Sequence, residues 1–317
     1  MAHDIVILGV FVADTAYRAG RMPRMGETIM GRSFALGPGG KGSNQSVAAA
    51  MAGGDVGFLT KLGRDTFAEM ALATWAKAGV TSLATQHDES YTGAAFIFVD
   101  EATGDNAIIV SPGVAATISP ADVEAQAAAI GGAKVFVTQL EQPQDAAIRA
   151  LGVARAGGAA TILNPAPAAE IPDAMLALCD YVTPNETEAS ELTGVAVADV
   201  PSAREAAAAL MARGVAKAAI VTLGENGCLW FDGETALHAP AFDAGPVVET
   251  TGAGDAFNGG FAVALAEGMA PREALRFANA TAAISVTRPG TAPAMPTRAE
   301  IDALLARGEA WRTDRDG

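Results

Sequence analysis

Short runs of hydrophobic residues alternate along the chain with alanine-rich segments in which hydrophobic residues recur at helical spacing. The runs predict buried strands at residues 5–12, 56–62, 135–139, 160–163, 181–183 and 218–223. The other segments predict helices near residues 43–52, 66–78, 120–130, 144–156, 186–192, 203–213, 255–267, 271–286 and 297–306. This order of strands and helices indicates an α/β fold, with a central, mostly parallel sheet covered by helices on both faces.

Two segments interrupt that order. Residues 16–36 contain turn-forming glycines and a proline before a strand-like stretch at 27–36, and residues 91–110 read as two strands joined by a turn. Apolar residues fall at both odd and even positions of 94–99, so both faces of that strand need cover. We expect a small projecting sheet, with a ligand or the main domain on one face and a second subunit on the other. The alternative is a pair of surface hairpins.

Composition narrows the class of protein. The chain has 317 residues, of which 50% are hydrophobic and 18% charged, which is typical of a globular enzyme with a substantial core. The net charge of −15 argues against nucleic acid and anionic membranes as partners. The first residues lack the basic stretch of a signal peptide, and no apolar run is long enough to span a bilayer, so we expect a cytoplasmic protein.

The cysteines and histidines do not indicate a metal centre. Cys179 and Cys228 are far apart in the sequence and are expected to be buried, reduced thiols. His3, His87 and His238 are scattered, which gives a histidine-based zinc site little support.

The stretch TTGAGDAFNGGF at residues 250–261 places a glycine-rich turn directly before an amphipathic helix. Thr250 or Thr251 is a plausible cap, while Gly252 and Gly254 leave backbone N–H groups uncovered. The unpaired donors and the positive dipole end of such a helix form an anion site. Asp255 is then either a stabilising carboxylate in a well-capped helix or a base of modest basicity beside a bound phosphate.

A second glycine-rich element, GPGGKGSNQ at residues 37–45, also leads into a helix. It matches G-x-G-x-x-G formally, but the preceding residues 31–36 are not the buried first strand of a dinucleotide-binding unit. It fails as a P-loop because Gly42, rather than Ser or Thr, follows Lys41. A backbone open to close approach, with Asn44 projecting from the helix start, suits a polyhydroxy ligand.

Two carboxylates follow predicted strands. Asp14 comes after the first strand and Glu141 after the strand at 135–139, so both are expected at the sheet edge where α/β proteins bind ligands. A carboxylate accepts two hydroxyl hydrogen bonds at once, which suits the vicinal diols of a neutral sugar. The alternative for each is a helix cap or an ordinary loop residue.

Two further segments also follow strands and have structural alternatives. Asn185 and Glu188 can form a capping box, or they can hold Mg²⁺ near phosphates. The turn at residues 222–227 can contact phosphates through Thr222 and backbone amides, or it can be a simple hairpin.

Four motifs in order carry a resemblance to a known family: GGKGSNQ at 39–45, NPAPA at 164–168, TPNETE at 183–188 and TGAGD at 251–255. With them, the chain resembles the PfkB family of carbohydrate kinases over nearly its whole length. The resemblance implies a ribokinase-like α/β fold, a single domain over residues 1–317. It also implies a small β-sheet lid, formed by about 14–38 and 91–111, which is the interface of a homodimer.

The resemblance implies an ATP-dependent kinase that converts D-ribose to D-ribose 5-phosphate. Another neutral sugar, such as deoxyribose or fructose, or a nucleoside is the alternative substrate. A non-catalytic sugar-binding or regulatory protein is the alternative of a different class, and the intact Asp255 and its glycines argue against it.

The family's functional residues fall on matching positions. Asp255 is implied as the base, and the amides of Gly252, Ala253 and Gly254 as an anion hole. The implied sugar contacts are Asp14, Gly40, Lys41, Gly42, Ser43, Asn44, Glu141 and Asp255. The implied nucleotide contacts are Asn185, Thr222, Leu223, Gly224, Glu225, Asn226, Gly227, Gly254 and Asn279.

Metal ions are implied as well. Glu188 is implied in binding Mg²⁺. The resemblance also implies a monovalent cation, an activating K⁺, near Glu249, Thr251, Ser285, Arg288 and Gly290. The chain has Glu249 where the family usually has Asp, and Ala294 where Ser is common.

Overall fold

The computed structural model of the protein describes residues 3–307. Their strands are β1 (Ile5–Leu8), β2 (Val12–Ala19), β3 (Ser33–Gly39), β4 (Val56–Leu59), β5 (Lys61–Gly63), β6 (Thr81–Ser82), β7 (Thr85–His87), β8 (Thr92–Asp100), β9 (Asn106–Gly113), β10 (Val135–Thr138), β11 (Ala160–Leu163), β12 (Tyr181–Val182), β13 (Ala218–Thr222), β14 (Cys228–Phe231) and β15 (Ala236–Ala239). Their helices are α1 (Lys41–Met51), α2 (Thr66–Ala78), α3 (Pro120–Ala125), α4 (Ala127–Gly131), α5 (Gln144–Gly157), α6 (Asp173–Leu176), α7 (Glu186–Thr193), α8 (Val200–Ala212), α9 (Ala253–Ala266), α10 (Pro271–Ser285) and α11 (Arg298–Ala306).

The central sheet of this described part has nine strands in the order β15-β14-β13-β12-β11-β10-β1-β4-β6. Pairings from β6 to β13 are parallel, and β14 and β15 are antiparallel at one edge. Along β1, Ile5 and Ile7 belong to a core shared with α1, α2, α9 and α10, whereas Val6 and Leu8 belong to a core shared with α5 and α8. This alternation buries both faces of the sheet and confirms the predicted α/β fold.

A second, smaller sheet has the order β3-β2-β8-β9. Its centre holds an aromatic cluster, in which the Tyr17 ring lies 5.0 Å from that of Phe34 and 5.5 Å from that of Phe96, centroid to centroid. On the edge strand β9, the side chains of Ile108, Ile109 and Val110 are all more than half exposed. The predicted small sheet is therefore present, and one of its edges is apolar and open.

Several predicted boundaries are wrong. The first strand ends at Leu8 instead of residue 12, because Gly9 lies against α1: a Cβ on Gly9 would be 2.7 Å from the Cα of Gly42. The stretch at 56–62 divides into β4 and β5, since β5 leaves the central sheet to pair with β7. The predicted helix at 120–130 is two helices that meet at Gln126, and β3 begins at Ser33 rather than at residue 27.

The turn after β13 is a hairpin, as one of the two alternatives stated. It leads into β14 and β15, two strands that the hydrophobic pattern did not reveal. Cys179 and Cys228 are both buried and free. Among residues 3–307, no helix combines the length and apolar character needed to cross a membrane.

Candidate active site

The predicted site residues lie at the ends of the parallel strands. Glu141 follows β10, Asn185 follows β12, and Thr222 is the last residue of β13. A backbone bridge joins Asn185 to Thr222. The predicted position of Asp14 is wrong. Asp14 lies inside β2 of the smaller sheet, opposite Gly37, and not after a strand of the central sheet. The smaller sheet therefore supplies one carboxylate and the central sheet the other.

Helix α9 begins at Ala253, and its N-cap is Gly252 rather than a threonine as predicted. Gly252 is its N-cap with φ 82°, a left-handed conformation that favours glycine, and no side chain caps the helix. The Ala253 N–H donates to the Thr250 carbonyl at 3.2 Å, while Thr251 is exposed. A Cβ built on Gly254 would meet no atom within 4 Å. The helix start thus presents open space beside its first turn.

Helix α1 begins at Lys41, two residues earlier than predicted. Its N-cap, Gly40, has φ 86°, and a Cβ there would be 2.6 Å from the Val10 carbonyl oxygen. Ser43, predicted to contact the sugar, is buried and accepts a hydrogen bond from the indole of Trp75 at 2.9 Å. The side chain of Ser43 therefore supports the packing of α2.

Asp255 is the most enclosed of the predicted catalytic and binding side chains that carry a charge, at 6% exposure. Its Oδ2 accepts from Asn44 Nδ2 at 3.0 Å, and its Oδ1 accepts from Gln45 Nε2 at 3.1 Å. Burial raises the pKa of Asp255, and the charge of Lys41 and the two amides only partly offset that effect. The sequence predicted that Asp255 is a base of modest basicity, and the raised pKa makes it a stronger base than that.

The other carboxylates share this environment. Glu141 Oε2 accepts from the Lys41 backbone N–H at 2.8 Å, and burial raises the pKa of Glu141 to about 7. Burial, and then the charges of Asp255 and Glu249, raise the pKa of Asp14 to about 6. Burial alone would lower the pKa of Lys41, but the charges of Asp255, Glu141 and Glu188 raise it. One half-buried cation, Lys41, thus lies near several acids.

A cleft of about 520 Å³ adjoins the start of α9. Its lining includes these predicted nucleotide contacts: Asn185, Thr222, Gly224, Glu225, Gly227, Gly254 and Asn279. Its apolar lining comes from Phe242, Val247, Phe257, Ala282 and Val286, among others. The Leu223 side chain is instead buried in the core, and Asn226 lies outside the lining.

Asn279 enters that cleft with its orientation already fixed. Its Nδ2 donates to the carbonyls of Ala239 and Pro240, at 2.8 and 3.0 Å. The side chain is therefore held by the backbone around the end of β15.

Asn185 and Glu188 form the capping box that was the structural alternative. The Glu188 N–H donates to Asn185 Oδ1 at 2.8 Å, and the Asn185 N–H donates to Glu188 Oε2 at 2.9 Å. Glu188 is buried, which raises the pKa of its carboxyl. Within residues 3–307, no group of three or more His, Cys, Asp or Glu side chains is placed to hold a metal. A single carboxylate of this kind fits Mg²⁺, which proteins often bind through one or two carboxylates together with substrate phosphates.

Several of the residues implied in a monovalent cation site already make hydrogen bonds within the protein. Glu249 Oε2 accepts from the Gly290 N–H at 2.8 Å. The Ser285 hydroxyl donates to the Ala282 carbonyl at 2.8 Å, and the Arg288 side chain pairs with Glu300. Glu249 is thus the one anionic side chain in the implied set, and its carboxylate is the group there that fits a cation.

Three buried amides behind Asp255 were missed as functional residues: Gln45, Gln139 and Asn164. Gln45 adjoins Asn44 in the glycine-rich motif, and the other two follow β10 and β11. A polar residue directly after a buried strand was the available signal.

Comparison with known proteins gives the same family. The model of the pfkB family carbohydrate kinase matches residues 2–298. The chain is 36% identical over 301 residues to a ribokinase of Haemophilus influenzae, which covers 95% of this chain and 97% of that protein. It is 35% identical over 308 residues to a deoxyribokinase of Salmonella typhi, covering 96% of this chain and 100% of that protein.

A solved structure of Arabidopsis thaliana ribokinase, complexed with ribose and ATP, superimposes with a TM-score of 0.90. The two chains are 32% identical, and the match covers 96% of this chain and 99% of that one. The chain therefore belongs to the PfkB family of carbohydrate kinases. It is a phosphotransferase that acts on a sugar hydroxyl, and the resemblance seen in its motifs is confirmed.

Proposed function

We propose that the chain is a ribokinase, which transfers the γ-phosphoryl group of ATP to the primary hydroxyl of D-ribose. The observation that carries the proposal is the buried carboxylate of Asp255 in the first turn of α9, next to Asn44 and beside the cleft. The relatives that match nearly the full chain include ribokinases, one of them complexed with ribose and ATP.

Asp255 acts as the base. As the sugar oxygen forms its bond to the γ-phosphorus, the bond from that phosphorus to the β–γ bridging oxygen breaks and ADP leaves. The hydroxyl proton moves to the Asp255 carboxylate. A raised pKa makes this carboxylate a better acceptor near neutral pH than an exposed aspartate.

The first turn of α9 stabilises the charge on the moving phosphoryl group. Backbone N–H groups of Gly252, Ala253 and Gly254 stand at the positive end of the helix, with no side-chain cap competing for them. The Ala253 N–H exchanges its contact with the Thr250 carbonyl for a phosphoryl oxygen. Because Gly254 lacks a side chain, the phosphate can approach the backbone closely.

Acceptors and donors around Asp255 bind the sugar. The carboxylates of Asp14 and Glu141 accept from vicinal hydroxyls, while Asn44 and Lys41 donate. Asn44 Oδ1 is a buried acceptor without a hydrogen-bond partner inside the protein, which fits a hydroxyl donor from the ligand. Gly40 and Gly42 contribute through their backbone at the start of α1, which packs so closely on Val10 and Gly9 that neither position has room for a side chain.

The cleft beside α9 binds ATP. Asn185, Thr222, Gly224, Glu225, Gly227 and Asn279 line it, and its apolar residues cover the adenine. Leu223 and Asn226 contribute only through the backbone of their turn. Glu188 would orient a bound Mg²⁺, which would neutralise phosphate charge. Glu249 would hold K⁺ in the region of Thr251, Ser285, Arg288 and Gly290, where the ion would stabilise the loop before α9.

The smaller sheet acts as the lid over the sugar, in a single domain, and as the interface of a homodimer. Its exposed apolar edge on β9 supports this, because open apolar edges are normally covered. The enzyme acts in the cytoplasm, with which two reduced, buried thiols are compatible.

A coupled assay for ADP across D-ribose, deoxyribose, fructose and adenosine tests the substrate. D-Ribose is expected to give the highest kcat/KM. Deoxyribose is the second candidate, because a deoxyribokinase is as similar to this chain as the ribokinases are. A higher kcat/KM with any rival would replace ribose as the substrate.

A further inference from the structure

A chain of buried side-chain amides stands behind the carboxylate of Asp255. Gln45, which is 0% exposed, donates from Nε2 to Asp255 Oδ1 at 3.1 Å and to Asn164 Oδ1 at 3.0 Å. Its Oε1 accepts from Gln139 Nε2 at 2.6 Å. Every hydrogen-bonding atom of the Gln45 amide is therefore used inside the protein.

A backbone carbonyl fixes the direction of the hydrogen bonds between these amides. Asn164 Nδ2 donates to the carbonyl of Thr183 at 3.1 Å, so Asn164 Oδ1 is the atom that faces Gln45. A carbonyl can only accept, which leaves Gln45 Nε2 as the donor toward both Asn164 and Asp255. Rotating the Gln45 amide by 180° would place its oxygen against two other oxygens. Gln45 thus has one permitted orientation.

Thr183 is also connected to the first turn of α9 by hydrogen bonds. The Thr183 hydroxyl donates to Asn258 Oδ1 at 2.7 Å, and Asn258 Nδ2 donates to the Gly254 carbonyl at 2.8 Å. The carboxylate and the backbone that carries it are therefore tied to one point at the end of β12.

We propose that Gln45 is a positioning residue, which fixes the plane of the Asp255 carboxylate and leaves Oδ2 as the oxygen that receives the sugar proton. Oδ1 faces the fully buried Gln45, whereas Oδ2 faces Asn44, the residue on the sugar side. This inference rests on the proposed function of Asp255 as the base. Gln139 acts one step further back, since it holds Gln45 without touching Asp255.

The role of Gln45 has a signature beyond stability. An N–H donated to a carboxylate favours the ionised form, so losing the donor raises the pKa of Asp255 further. Because the base must be ionised to act, the acidic limb of the kcat profile then moves to higher pH.

Gln45→Met and Gln139→Met remove these amides at similar volume. Gln142→Met is the matched control, because Gln142 is a buried amide that donates to the Thr138 hydroxyl and to the backbone carbonyl of Gln139 but bonds none of the side-chain amides behind Asp255. For Gln45→Met we expect kcat to fall about tenfold or more with little change in the sugar KM. Its acidic limb should move up by about one pH unit. Gln139→Met should change both in the same direction by less, and the control should match the wild type.

A folded Gln45→Met protein with the wild-type acidic limb would overturn the inference. If that variant does not fold, the limb of Gln139→Met decides in the same way. The Asp255 carboxyl pKa is also measured by ¹³C NMR, with the resonance assigned by its loss in Asp255→Asn. If the wild type turned over no sugar, the proposed function would fall. The NMR titration would still test whether Gln45 acts on Asp255, and an equal pKa in Gln45→Met and wild type would count against it.

Discussion

Asn44 Nδ2 donates a hydrogen bond to Asp255 Oδ2 at 3.0 Å, although the two residues are 211 positions apart in the chain. Each lies in the first turn of a helix whose N-cap is a glycine with positive φ, Gly40 for α1 and Gly252 for α9. These helices pack closely, since a Cβ on Gly259 would lie 2.7 Å from the Ala49 nitrogen. Close packing of α1 on α9 therefore brings the motif proposed to bind the sugar to the carboxylate proposed as the base.

Gly254→Ala is expected to abolish ATP binding without unfolding the protein. A Cβ at this position meets no protein atom within 4 Å, so the fold tolerates it, but the methyl group occupies space proposed for a phosphate. Alanine also favours the helix by about 0.5–1 kcal/mol over glycine.

Gly152→Ala in α5 is the matched control for this change, because its Cβ is equally unobstructed. Thermal unfolding and nucleotide titration calorimetry check both variants. Normal ATP affinity in Gly254→Ala would show that the phosphate does not lie there.

Glu141→Gln is expected to lose activity and gain stability at high pH. The carboxyl pKa is about 7 in the fold, against an ordinary value of 4.5, so ionising Glu141 costs more when folded than when unfolded. The native state binds more protons between those values, so this group's contribution to stability falls as pH rises from about 4.5 to 7.

The glutamine variant removes that cost. At pH 8 it should be more stable than the wild type by about 3 kcal/mol, with the difference vanishing near pH 4.5. Denaturant titrations at both pH values measure it. If the difference in stability between variant and wild type did not depend on pH, the fold would not raise the pKa of Glu141.

Activity is expected to be higher in potassium salts than in tetramethylammonium salts at equal ionic strength. Glu249 holds the Gly290 N–H, so a cation at its carboxylate orders the segment that precedes α9. Glu249→Gln should reduce the difference between the two salts. Equal rates of the wild type in both salts would mean that the site near Glu249 is not used.

Ile109→Lys is expected to convert a dimer to a monomer. Ile109 is 64% exposed on the edge strand β9, and a charge there would be buried in an interface through the smaller sheet. Ala102→Lys, in the exposed turn between β8 and β9, adds the same charge away from the strand. Light scattering after gel filtration measures the mass. A wild type that is already monomeric would remove the proposed interface.

The parallel sheet and most helices were predictable because their signals are local. Thr66–Ala78 and Ala160–Leu163 match the predicted ranges, each carrying a hydrophobic pattern of one period. The end of β1 was not predictable, since the pattern stays apolar to Val12, where β2 already begins, and the intervening Gly9 packs against Gly42. That contact joins residues distant in sequence.

In the site, too, features with a local sequence signal were predictable and features that depend on distant contacts were not. Asn185 and Glu188 form the capping box that their spacing predicts. The raised pKa of Asp255 was not predictable, because it follows from burial by α1 and not from its helix position. Gln45 and Asn164 stood in the motifs of the resemblance without an assigned role, Gln139 belonged to none of those motifs, and only the fold brings the three amides together.

Asp255→Asn tests the central claim, that this carboxylate is the base. Single-turnover transfer from ATP to D-ribose is measured alongside calorimetric binding of ribose and thermal unfolding. The predicted result is a rate lowered by about 10² or more, with ribose binding and folding retained, because the amide cannot take the proton. A folded variant that transfers phosphate at the wild-type rate would contradict the assignment of Asp255.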